Sequence, residues 1–155
     1  MTMADDKRKP GMYETDLQKE ENMAEVTQLR IELNNGATLP LVEEDIDDIL
    51  VAAFEGGINY WCSEVHVVGE YLGEYASDQI SRGGELDIYD MEEETYYRLT
   101  LKKFLKGLKM WLEESGYKCL EQEYGGMYRL DVGDIDACRA DDIVQLAILG
   151  EVVYG

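Results

Sequence analysis

Asp131, Asp134 and Asp136 stand within the run DVGDID, and Glu151 follows near the end of the chain. Such carboxylates could hold the paired cations of a phosphoryl-transfer site, because hard divalent ions take oxygen ligands. The spacing does not fit a calcium-binding EF-hand, which ends its longer loop on a bidentate glutamate. A nuclease built on these acids would also repel its substrate, since the chain carries a formal charge of −20. The ordinary reading is a solvated acidic loop without a dedicated metal site.

Other catalytic groupings fall away quickly. The single histidine, His66, lies in the alternating run SEVHVV, where a lone histidine is ordinarily structural. No GxSxG, P-loop or dinucleotide fingerprint is present, and GEYLGEY lacks the glycine spacing of the last. Cys62, Cys119 and Cys138 are odd in number and form no CxxC pair, which argues against a disulfide framework. With one histidine they cannot close a four-ligand zinc site at the usual spacing. The expectation is a non-enzymatic chain with no metal and no cofactor.

What remains is charge. Residues 26–81 hold eleven acids against one base, Arg30, and residues 31–81 hold no lysine or arginine. Residues 82–118 are nearly balanced, with eight acids and seven bases. A net charge this negative disfavours attachment to nucleic acid or to an anionic membrane and favours capture of a basic partner.

The elements that must position these groups follow from periodicity. Residues 1–25 read as a polar tail, and residues 26–155 as one α+β domain. VTQLRIEL and ATLPL read as strands joined by the turn NNG, with Pro40 at an edge. Residues 42–55 read as a helix that buries Ile46, Ile49, Leu50, Ala53 and Phe54 and is closed by the glycines of EGG. INYWCSEVHVV reads as an aromatic strand, 76–81 as a short helix, and ELDIYD and TYYRLTL as a second hairpin around MEEE. LTLKKFLKGLKMWLEESG is the strongest helix. Thr100 caps it, Leu101, Phe104, Leu105, Leu108, Trp111 and Leu112 form its buried stripe, and Gly116 stops it. YGGMYRLDVGDID contains a turn and a short strand, DACRADDIVQLAILG is a last helix, and EVVYG reads as a closing strand. The expected architecture is one antiparallel or mixed sheet, built from two hairpins and a central aromatic strand, with about three helices packed on it.

Two surfaces then compete for function. Lys102, Lys106 and Lys109, with Lys103 beside them, lie off the apolar stripe of the strong helix. With Arg82 and Arg98 they are the candidate anion site, suited to a nucleotide sponge, or else a surface for a second copy of the chain. The other surface is acidic. Acids four apart on a helix rise about 6 Å, close to the roughly 6.8 Å of two steps along one DNA strand. Such a face imitates a row of phosphates. Its candidate contacts are Glu43, Glu44, Asp47, Asp48, Glu55, Glu64, Glu70, Glu74 and Asp78, with Tyr71 and Tyr75 as aromatic anchors at the rim.

The stretches NNGATLPLVEEDIDDIL, EGGINYWC, VVGEYLGEYASDQISRGG and LGEVVYG carry a resemblance. From about Leu29 onward the chain resembles small acidic proteins encoded by phages and mobile elements of Gram-positive gut bacteria. The resemblance implies inhibition of host defence, of which anti-CRISPR proteins that imitate DNA are the best-known acidic form. It implies a basic nucleic-acid-binding partner such as a CRISPR effector nuclease, and residence in the host cytoplasm. A structural or regulatory phage protein is the remaining alternative.

Overall fold

The computed structural model describes residues 29–155, so the tail read at 1–25 and the start of the first strand at 26–28 lie outside the described residues. Helices and small antiparallel sheets share one hydrophobic core, an α+β fold. Strands β1 (Arg30–Glu32) and β2 (Thr38–Pro40) form the first hairpin and pair Ile31 with Leu39, both enclosed. Gly36 supplies the positive φ of 92° that the turn requires. The turn is tied outward by the Asn34 N–H, which donates to Glu113 Oε2 at 2.7 Å.

Helix α1 (Glu43–Ala52) buries Ile46, Ile49 and Leu50, as its periodicity dictates. Its end is not a glycine cap. The helix widens into a π turn over Ala53–Gly57, in which the Ile58 N–H reaches Ala53 O at 3.0 Å. Gly57 lies so close to the next layer that a Cβ there would sit 2.5 Å from Ala137 O.

Strands β3 (Cys62–Val68), β4 (Glu85–Asp90) and β5 (Thr95–Leu99) form the largest sheet, in that order. This corrects the expectation of a single sheet with the aromatic strand at its centre. Among the described residues there are three separate sheets, and β3 is an edge strand. The aromatic residues of INYW do not extend it. The N–H groups of Trp61 and Cys62 both bond to Ile58 O, at 3.0 and 2.8 Å, and this turn starts the strand at Cys62. β4 takes the centre because its alternation is the cleanest, with Leu86, Ile88 and Asp90 all fully enclosed.

Helix α2 (Leu101–Glu114) begins at Thr100, whose hydroxyl accepts the Lys103 N–H at 3.2 Å. It buries Phe104, Leu108, Trp111 and Leu112, with Leu101 and Leu105 half-buried. A third hairpin follows, β6 (Leu120–Gln122) with β7 (Tyr128–Leu130), where the sequence indicated one short strand. Helix α3 (Ala137–Leu149) is capped by Asp136, which accepts the Arg139 N–H at 2.9 Å. It packs against α1, the π turn, α2 and β5. Gly107 permits the α2–α3 approach, since a Cβ there would lie 2.7 Å from the Ala147 backbone. No helix among the described residues is long and apolar enough to cross a membrane.

The closing residues are not a strand either. Gln145, fully enclosed, accepts the N–H groups of Val153 and Tyr154 at 2.8 Å each and donates to Tyr154 O at 3.1 Å. The Tyr154 ring stacks on Trp61 at 5.4 Å, and its hydroxyl donates to Asp90 at 2.7 Å. Asp141 accepts from Tyr60 at 2.6 Å, from the Trp61 indole at 2.8 Å and from the Gln145 amide at 2.9 Å. Partial burial and the bond to Asp141 push the Tyr60 hydroxyl up to about 12, and the bond to Asp90 raises that of Tyr154.

Two predictions follow from this packing. Gly107→Ala gains about 1 kcal/mol of helix propensity and loses about 1–3 kcal/mol to overpacking against a backbone that cannot move aside. The thermal midpoint therefore falls, and calorimetry checks it. Second, both tyrosines titrate higher in the folded chain than the usual value of about 10. Their contribution to stability is fully present below pH of about 10 and is lost as pH rises toward about 12, because the unfolded chain releases those protons first. Denaturant midpoints measured across that window should fall, and Tyr154→Phe should flatten the decline.

Candidate functional site

The acid-rich half is assembled by a few internal bonds. Asp47 of α1 is half-buried and accepts the hydroxyl of enclosed Ser81 at 2.6 Å. Arg82 reaches the same carboxylate at 3.3 Å and also donates to Asp78 O at 2.9 Å. These bonds fasten α1 to the segment 69–84. The segment contains one short 3-10 turn, Ala76–Asp78, which packs on α1 and touches β3.

The loop ahead of that turn is held by two side chains. Gln79 is 1% exposed; its amide donates to Glu70 O at 3.0 Å and its oxygen accepts the Leu72 N–H at 2.9 Å. Asp78 accepts the N–H groups of Glu74 and Tyr75 at 3.1 Å each. Two glycines make room for this arrangement. A Cβ at Gly73 would lie 2.4 Å from Asp78 Cβ, and one at Gly84 would lie 2.4 Å from the Gln79 amide nitrogen. The result is a fixed loop that turns Tyr71, Leu72 and Tyr75 outward, 61%, 48% and 61% exposed.

The candidate contacts therefore divide. Glu43, Glu44 and Asp48 are exposed on α1, and Glu70, Tyr71, Glu74 and Tyr75 are exposed on the loop fastened to it. Asp47 and Asp78 belong to the frame: Asp47 accepts from Ser81 and Arg82, and one oxygen of half-buried Asp78 accepts both backbone amides. Glu64 is exposed on β3, where it meets His66 at 2.7 Å. Glu55 lies on the π turn beside α3, at the other end of α1 from Glu43 and Glu44.

The basic set does not gather into one anion site. Arg82 serves Asp47, and Arg98 bonds to Asp87 and Glu85 at 2.6 Å each across the open face of the large sheet. The bond to Asp87 holds the Arg98 guanidinium above its usual range. Lys102 and Lys106 remain exposed on α2, with Lys109 half-buried, while Lys103 donates to Arg98 O at 2.9 Å.

The groups weighed for chemistry are dispersed as well. Asp136 caps α3 and Asp134 pairs with Arg139 at 3.3 Å. Among the described residues no three His, Cys, Asp or Glu side chains come together as a metal cage. Cys62 is buried, Cys119 half-buried and Cys138 exposed, all as free thiols. Burial raises the Cys62 and Cys119 thiols, away from the nucleophilic thiolate. A shallow cleft of about 450 Å³ borders Tyr60, Cys138, Asp141 and Asp142. The first and third of these are bonded to each other, and burial raises the carboxyl of Asp142.

Sequence reading missed Gln79 and the Asp47–Ser81 link. The available signal was the polar alternation of Ser77, Gln79 and Ser81 in SDQIS, side chains that must be satisfied if that segment is enclosed. Gln79→Ala tests the assignment. It leaves the Leu72 N–H and the Glu70 carbonyl without partners, at about 1–3 kcal/mol. Amide exchange at Leu72 should accelerate by about tenfold or more, while that of α3 is unchanged. Equal Leu72 exchange in both proteins would show that Gln79 does not hold the loop.

Compared with known proteins, the chain matches no family model, no curated protein and no solved structure.

Proposed function

We propose that this chain is a stoichiometric, non-catalytic inhibitor of a nucleic-acid-binding defence enzyme of a bacterial host, of the anti-CRISPR type. It acts by laying an acidic surface into a site built for nucleic acid. The observation that carries this reading is the fastening of α1 to the loop 69–75 through Asp47, Ser81 and Arg82. That link sets Glu43, Glu44 and Asp48 on the same framework as Glu70 and Glu74, all exposed. Arg82, the cation nearest in sequence to Glu70 and Glu74, pairs with Asp47 at 3.3 Å and not with these outer acids.

The physics is that of a phosphate row. Carboxylates fixed on a helix and an adjoining loop meet the lysines and arginines that normally grip DNA. Counterions leave both surfaces on contact, so association weakens steeply with salt. Holding the acids in place avoids an ordering penalty at the moment of binding. Each exposed pair contributes little by itself, so the effect depends on several acids acting together.

The test uses a purified, guide-loaded CRISPR effector nuclease and labelled target DNA. The chain should compete with the DNA, and its affinity should fall by about tenfold or more between about 50 and about 200 mM salt. Glu44→Gln alone should change affinity less than about threefold. Neutralising Glu43, Glu44, Asp48, Glu70 and Glu74 together should weaken it by about a hundredfold. Binding that ignores both salt and DNA would remove the reading.

A further inference from the structure

The loop 69–75 has a pattern that a row of charges does not need. Glu70 is followed by Tyr71 and, four residues after Glu70, Glu74 is followed by Tyr75. Both tyrosines are 61% exposed, and neither ring stacks on another aromatic side chain among the described residues. An exposed aromatic ring on a mobile loop would be unremarkable. Here the backbone that carries the rings is fixed at four points by Gln79 and Asp78. Gly73 admits that geometry because a larger residue would strike Asp78.

We infer that this loop stands in for a short run of single-stranded nucleic acid, with Glu70 and Glu74 in the place of phosphates and Tyr71 and Tyr75 in the place of bases. The partner surface is then a protein groove that binds single strands. Such grooves combine a cationic track with aromatic side chains on which successive bases stack, whatever the sequence. A phenol ring offers the same flat π face as a base. A groove that grips duplex DNA meets mainly phosphates and base edges and has no slot for a protruding ring. Gln79 and Asp78 act as positioning residues, because they fix the backbone that carries the rings without touching the partner. This inference rests on the charge-mimic reading above and narrows it to one kind of groove.

The experiment uses the full chain against two defined complexes. One is an OB-fold single-strand-binding protein holding fluorescent oligo(dT). The other is a basic architectural protein holding a fluorescent duplex of similar length. Displacement is followed by anisotropy. The wild-type chain should displace oligo(dT). The double variant Tyr71→Ala with Tyr75→Ala should do so about 30-fold less well, the loss of two stacking contacts. Tyr71→Phe with Tyr75→Phe keeps the ring faces and should retain most of the activity. Glu70→Gln with Glu74→Gln should weaken displacement in both complexes. Displacement of oligo(dT) by the alanine variant at wild-type concentration would overturn the inference. So would displacement of the duplex alone, which leaves the charge-mimic reading standing. Displacement of neither complex, together with no competition at the effector nuclease, would remove both.

Discussion

Asp90 and Asp141 are 0% and 5% exposed, yet neither pairs with a lysine or arginine among the described residues. An ionised carboxylate taken from water must recover its hydration in fixed hydrogen bonds, or the fold is lost. A chain with 34 acids and 14 bases has few cations to assign to the interior. It uses neutral donors. Asp90 receives the Tyr154 hydroxyl and the backbone N–H groups of Glu92 and Glu93. Asp141 receives a phenol, an indole and an amide. These donors are large side chains that also fill space, so the bonds that satisfy charge are the bonds that join layers. Through them the end of β4, the turn before β3, helix α3 and the closing residues become one unit.

The same economy operates at the surface. Asp78 is satisfied by two backbone amides and Asp47 by a serine hydroxyl, with Arg82 completing the group. Each of these acids takes part in shaping the acid-rich half. Their neighbours Glu43, Glu44, Asp48, Glu70 and Glu74 lie outside the bonded frame. Self-repulsion among them is a standing penalty, eased by solvent and counterions. On the proposed reading, a surface that carries such a penalty gains when a fixed array of cations arrives, and the outer acids then serve binding while the inner ones serve the frame.

The helices were legible because a period of 3.6 residues records burial directly. LTLKKFLKGLKMWLEESG gave α2 with its Thr100 cap, and the apolar positions of DACRADDIVQLAILG gave α3. The NNG and MEEE hairpins were legible from turn chemistry. The division into three sheets was not, because strand order depends on which edges meet, and alternation within one strand is silent on its neighbours. INYW looked like strand because aromatic and β-branched residues favour it. It became a turn because Trp61 and Tyr60 had to reach Asp141, eighty positions away. EVVYG failed as a strand for the same reason, since Gln145 supplies its backbone with partners that a neighbouring strand would otherwise give. At the candidate site, composition singled out acids and tyrosines, and Glu43, Glu44, Asp48, Glu70, Tyr71, Glu74 and Tyr75 are exposed. That Asp47 and Asp78 build the site and do not face outward was beyond reach, because it depends on Ser81, Arg82 and the path of a loop without regular structure.

On the proposed reading, charge and aromatic rings divide the work of binding. Fixed acids draw a basic groove toward the chain and raise the rate of encounter, but exposed pairs are screened and hold weakly. Dwell time depends on contacts that exclude water, and on the loop 69–75 the side chains suited to that are Tyr71, Leu72 and Tyr75. Rings on a slack loop would lose much of that gain in ordering. Gln79 therefore has a value that its own contacts with a partner could never supply. It is enclosed and uncharged, and the loop that would meet the partner is already in place before the partner arrives.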